Sequence, residues 1–193
     1  YPVEYMTALL TAESGDTDKV TEGIQECHHM EIKVLPPDIN KSQVGFSIEE
    51  EPSSREGKAI RFGLSAIKNV GEAAIGAILN ARSDGGEFPS LSNFCSRVIQ
   101  QKVNKKVLES LIKVGAMDKF GNRASLMAGL DKIRVNCENN QKQKTAGQAG
   151  LFDNDQTEAS VPIYKDDLPH LEEFSREERL TLEKELLGFY LNE

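Results

Sequence analysis

Lys68-Asn69-Val70-Gly71 interrupts an apolar helical pattern that runs from Leu64 to Ala81 and resumes directly after the break. This is the spacing of a helix-hairpin-helix. Asn69 and Gly71 are residue types that accept the positive φ of a tight turn. The helix that follows opens at the turn, with free backbone N–H groups and the positive end of its dipole. Such an end holds a phosphate without reading a base. The chemistry predicted for Lys68, Asn69, Val70, Gly71, Glu72 and Ala73 is therefore sequence-independent contact with a DNA backbone, with Lys68 adding charge. The alternative is a helical hairpin that only packs. A second, less regular hairpin follows, with Lys113, Lys119 and Arg123 beside its turns. The Arg123 guanidinium suits a bidentate grip on phosphate; a solvated helix-surface arginine is the equal alternative.

Other reactive residue types do not converge. Cys27-His28-His29 offers metal-ligand types, but consecutive helical residues point in different directions and no second ligand pair follows at suitable spacing. The clusters Glu49-Glu50-Glu51 and Glu172-Glu173 read as solvated carboxylates. No glycine-rich phosphate loop and no serine–histidine pair stands out. No catalytic residue, metal ligand or cofactor is expected in this chain.

The charge is segregated. The 193 residues carry a net charge of −8, which taken whole argues against a nucleic-acid partner. Residues 55–134, however, hold 14 Lys/Arg against 7 Asp/Glu, while the rest hold 9 against 24. A basic block thus surrounds the hairpins between acidic flanks, which suggests a polyanion for the middle segment. Three cysteines, Cys27, Cys95 and Cys137, predict a reducing, cytoplasmic setting without a disulfide framework. No membrane-spanning run and no signal segment is legible. The chain starts at Tyr1-Pro2 without Met and stops just after a helical pattern, which predicts a piece of something longer.

The elements that must position the hairpins follow from periodicity and punctuation. Residues 2–34 read as helical, with Asp16-Thr17-Asp18 as an internal start signal and Pro36-Pro37 as the stop. Alternation at Val44, Phe46 and Ile48, and again over Ala59 to Phe62, predicts a β-hairpin over 43–65. After the first hairpin motif, Gly85-Gly86 ends a helix. Ser90 opens a short one with Leu91, Phe94 and Val98 inward. Asn104 caps another with Val107, Leu108, Leu111 and Ile112 inward. Gly115 breaks it, and Asn122 caps a helix with Leu126, Met127, Leu130 and Ile133 inward. From Glu138 to His170 the composition is that of a flexible polar linker. Within it lies Gln148-Ala149-Gly150-Leu151-Phe152, a Gln-x-x-Leu-Phe peptide. Two adjacent bulky apolar residues are costly to leave in water, so Leu151 and Phe152 fit a partner's pocket, with the Gln148 amide fixing register. Ser175-Arg176-Glu177-Glu178 is a capping box that opens a last helix.

These strings resemble the alpha subunit family of bacterial replicative DNA polymerases. The resemblance is carried by Tyr1 to Leu10, Val34 to Asn40, Ile60 to Gly71, Val103 to Ile112 and Glu185 to Leu191, in the family's order. It implies a mainly α architecture: the C-terminal part of the fingers over 1–42, the β-hairpin over 43–65, and a tandem helix-hairpin-helix DNA-binding domain over 66–137. A linker over 138–170 and a C-terminal helix over 171–193 would follow. The implied partners are duplex DNA, the sliding clamp through Gln148, Leu151 and Phe152, and other replicase subunits. The parent would be a DNA-directed DNA polymerase using Mg2+, with its catalytic carboxylates upstream of Tyr1, so this piece would be inactive alone. The wider hairpin motif usually carries Gly at Asn69 and a basic residue at Ala73, so this hairpin is expected to grip more weakly. The competing readings are a helix-hairpin-helix module of a nuclease or ligase, and a protein-interaction domain without a DNA role.

Overall fold

The computed structural model describes residues 1–98, 103–145 and 166–190. Helix α1 (Pro2–Ala12) begins on a proline, whose missing N–H costs nothing at that position. Helix α2 (Thr17–His29) starts where Asp16 accepts hydrogen bonds from Asp18 N and Lys19 N at 3.1 and 3.3 Å. The two helices pack together, burying Val3, Met6 and Leu10 against Val20, Ile24 and Cys27.

Helix α2 stops at His29, five residues short of the helical span expected to Val34. Glu31 adopts φ 59°, and Ile32 N donates to Cys27 O at 2.8 Å. The chain then enters a strand that sequence pattern did not predict, β1 (Val34–Leu35). Two residues are too few for periodicity to register. The strand exists because β3 (Lys58–Arg61) satisfies its backbone. The sheet order is β1-β3-β2, with β2 (Ser47–Glu50) antiparallel to β3 and β1 parallel to it. The β2–β3 pair is the expected β-hairpin, with Ile48 opposite Ile60. Arg61 is buried in β3; its guanidinium donates to both Glu49 carboxylate oxygens at 3.0 and 2.6 Å and to Pro36 O at 2.6 Å. Three strands are thereby held by one fork.

Gly63 lies where the sheet leads into the first hairpin. A Cβ there would stand 2.4 Å from Gly45 C and 2.8 Å from Phe46 N, so only glycine allows this backbone approach. Between this contact and Lys68 there is room for a single 3-10 turn, Leu64–Ala66. The first limb of the first hairpin is therefore this turn rather than the α-helix that the apolar pattern suggested. Then come α3 (Glu72–Gly85), α4 (Leu91–Val98), α5 (Lys105–Lys113), a 3-10 turn at Asp118–Phe120, α6 (Arg123–Thr145) and α7 (Arg176–Leu187). Helix α6 continues seven residues past Glu138, where composition predicted a linker. Its packed first half supplies the nucleus, after which helix-tolerant Gln and Lys residues extend it at little cost. The buried side chains form one cluster that runs from Val3 through the sheet and both hairpins to Phe189. The chain is mainly α, and none of the described helices is long and apolar enough to cross a membrane.

Two glycine substitutions separate packing from propensity. Gly63→Ala is expected to cost about 1–3 kcal/mol, the range for overpacking against atoms that cannot yield. Gly76→Ala in mid-α3, where a Cβ meets nothing within 4 Å, is expected to stabilise by about 0.5–1 kcal/mol. Denaturant midpoints at constant slope check both.

Candidate nucleic-acid interface

The first hairpin is built so that its turn faces outward while its base is anchored. Val70 is buried, whereas Lys68, Asn69, Gly71, Glu72 and Ala73 are exposed. Asn69 takes φ 70° without glycine, and its amide Nδ2 donates to Ser110 Oγ on α5 at 3.1 Å. The side chain that departs from the usual glycine thus ties this turn to the second hairpin. Lys68 N donates to Leu186 O of α7 at 3.0 Å, leaving the ammonium group outside. Gly71 is the N-cap of α3, and among the described residues no side chain caps the first turn of that helix. Every other helix from α2 onward has a side-chain oxygen on its first-turn amides: Asp16 on α2, Asp166 on α4, Asn104 on α5, Asn122 on α6 and Ser175 on α7. The exposed, uncapped end at Glu72 and Ala73 can accept an anion, with the Glu72 carboxylate weakening the attraction.

Sequence reasoning missed one contributor. Ser110 is buried on the apolar face of α5, and Lys106 and Lys113 lie one turn to either side of it. The Asn69–Ser110 bond therefore brings the exposed Lys106 and the half-buried Lys113 to the side of α5 that meets the Lys68 turn. The only local signal is a small polar residue within an apolar stripe. Lys119 is elsewhere. It pairs with Glu87 at 3.6 Å, beyond the far end of α3, and that 14-residue helix is about 21 Å long.

Arg123 corrects the surface reading. Its side chain is only 4% exposed, and Glu183 of α7, its partner at 3.0 Å, is 2% exposed. The guanidinium also bonds Asp118 Oδ1 at 3.1 Å and donates to Lys113 O at 2.9 Å. Burial works against its charge, but the bonds to Asp118 and Glu183 hold its pKa above the ordinary value. This fork is used inside the fold and presents nothing to a phosphate. The amides of Arg123 and Ala124 are also occupied: they donate to the Glu173 carboxylate at 2.9 and 3.2 Å. Burial would raise the Glu173 pKa, but the N–H groups of Arg123, Phe174 and Ala124 outweigh it and hold the carboxyl below its ordinary 4.5. Gln148, Leu151 and Phe152 lie outside the described residues. Among the described residues no group of three or more His, Cys, Asp or Glu is placed to hold a metal ion.

A family model of the helix-hairpin-helix motif matches residues 31–126. The chain is similar over 100% of its length to DNA polymerase III subunit alpha of Thermus aquaticus, at 43% identity, and of Deinococcus radiodurans, at 40%. It is 34% identical to the Pseudomonas aeruginosa subunit over 99% of the chain. These matches span 14%, 14% and 17% of the three relatives' own lengths.

Two outcomes follow from the geometry. Arg123→Ala removes a buried guanidinium bonded to Glu183, Asp118 and Lys113 O and is expected to cost about 3 kcal/mol or more, by chemical denaturation. Glu173 has a lowered folded pKa, so its contribution is full above the unfolded value of 4.5 and is lost as pH falls through the lower folded one. The Arg123 and Ala124 amide shifts, followed by NMR from pH 6 down, should therefore hold steady at first and move below that point.

Proposed function

The chain belongs to the DNA polymerase III subunit alpha family, of which it spans one segment with a helix-hairpin-helix region, and on that premise we propose that it holds duplex DNA by the phosphate backbone. The observation that carries this reading is the first hairpin. It has a turn braced at Asn69 and Lys68, an uncapped α3 N-terminus, and lysines 68, 106 and 113 grouped around the brace. A phosphate at the α3 amides would be bound without base readout, as a polymerase that must move along any sequence requires. The basic block between acidic flanks directs the polyanion to this face.

Nucleotidyl transfer and its Mg2+ ions belong, in this proposal, to parts of the longer polypeptide upstream. Gln148, Leu151 and Phe152 would dock on the sliding clamp, and the working place is the cytoplasm. A clamp tether raises the local concentration of DNA at a weak grip, which fits a hairpin with Ala73 where a basic residue is usual.

Duplex binding measured against salt tests the grip. Lys68→Ala should weaken binding equally on unrelated sequences and flatten the log–log salt slope by about 0.9, the value for one phosphate. Absence of binding by the unaltered chain at low salt would overturn the reading. For the clamp, Leu151→Ala with Phe152→Ala in the full-length subunit should abolish clamp binding, and unchanged affinity would refute that part alone.

A further inference from the structure

Residues 166–174 form a strap along the second hairpin. Asp166 accepts from Leu91 N and Ser92 N at 2.7 and 2.8 Å, closing the N-terminus of α4. Asp167 pairs with Lys132 on α6. Leu168 packs against Gly129 and Gly121. Leu171 O accepts from Asn122 Nδ2 at 2.8 Å, and Leu171 N donates to Ser125 Oγ at 3.2 Å. The strap ends with Glu173 on the amides of Arg123 and Ala124.

The two hairpins are therefore unequal at equivalent positions. Each presents the first turn of its second helix, α3 or α6. At α3 that turn is exposed and, among the described residues, bears no side-chain cap. At α6 two carboxylate oxygens accept from two consecutive backbone N–H groups. A phosphodiester would place the same pair of acceptors with the same sign of charge. The Arg123 guanidinium, which could draw a second anion, is turned inward to Glu183 and Asp118. A phosphate approaching α6 meets an occupied seat and a negative charge.

We infer that Glu173 decides which hairpin contacts the backbone: it closes the second hairpin to phosphate from within the chain and assigns the contact to the first. This rests on the reading of the chain as a duplex-backbone binder. Glu173 acts through exclusion, so it is a specificity-determining residue and does not itself touch DNA.

Backbone amide shifts on the 193-residue chain test it. On adding duplex, the Glu72 and Ala73 amides should move while those of Arg123 and Ala124 stay fixed; equal movement at both turns overturns the inference. Glu173→Ala should then open α6, whose Asn122 cap to Ser125 N at 2.7 Å remains. In that variant the Arg123 and Ala124 amides should move on titration with inorganic phosphate, and the duplex salt slope should steepen by about 0.9 for one added phosphate. Glu172→Ala carries the same charge change on an exposed neighbour and should leave the slope as it was. If Glu173→Ala amides ignore phosphate, or the two variants share one slope, Glu173 is a structural cap only. If no variant binds duplex while the Glu173→Ala amides still take up phosphate, the duplex reading fails and the closure of α6 by Glu173 stands.

Discussion

The buried Arg123 guanidinium is the constraint on which the arrangement of the two hairpins depends. It meets the end of α5 through Lys113 O, the 3-10 turn through Asp118, and α7 through Glu183. The turn beneath it must be glycine: Gly115 has φ 80°, and a Cβ there would lie 2.3 Å from Arg123 Nη2. A charge this deep is tolerated only when every face of it is answered. The ion pair fixes α7 on α5, and α7 in turn supplies Leu186 O to the Lys68 amide. The outward pose of the first hairpin is thus braced from one turn away on α5 and α7, through one cation that is almost wholly buried.

Electrostatics then makes the two hairpins different in kind. Both belong to a basic block, yet the same carboxylate chemistry that would repel DNA satisfies the second hairpin's amides. The strap contributes Asp166, Asp167 and Glu173 to three separate partners on that side. Of the two described hairpins, the one left open to a polyanion is the first, with the α3 end and the lysines around Asn69. A grip of that size is small for a protein with a net charge of −8. On the proposed function, a grip of that size would let DNA go readily and leave its retention to other contacts.

Much of the fold was legible. Asp16, Asn104, Asn122 and the Ser175–Glu178 box cap the helices they were expected to open. The strand pair β2–β3 falls where alternation placed it. The third strand, the shortened first limb of the first hairpin and the length of α6 were not legible. The first two depend on what a distant segment supplies, β3 to β1 and the Gly45 backbone to Gly63, and the third on the packing of the first half of α6 against α4 and α5. The site divides the same way. The turn at Lys68–Ala73 was visible from its residue types, whereas no local pattern marks the Asn69–Ser110 bond beside Lys106 or the seating of Glu173 on the α6 amides.

By itself the sequence determined the family, the positions of the caps and turns, and the concentration of basic charge around the hairpins. These are written in patterns a few residues long, because capping and helical periodicity act within about one turn. Only the tertiary structure decided which cations face solvent and which helix end stays open. The bonds that decide it join residues far apart in the chain: 41 for Asn69 to Ser110, 50 for Arg123 N to Glu173 and 60 for Arg123 to Glu183. Burial and partner choice at such separations depend on how the whole core closes, and no local pattern encodes them.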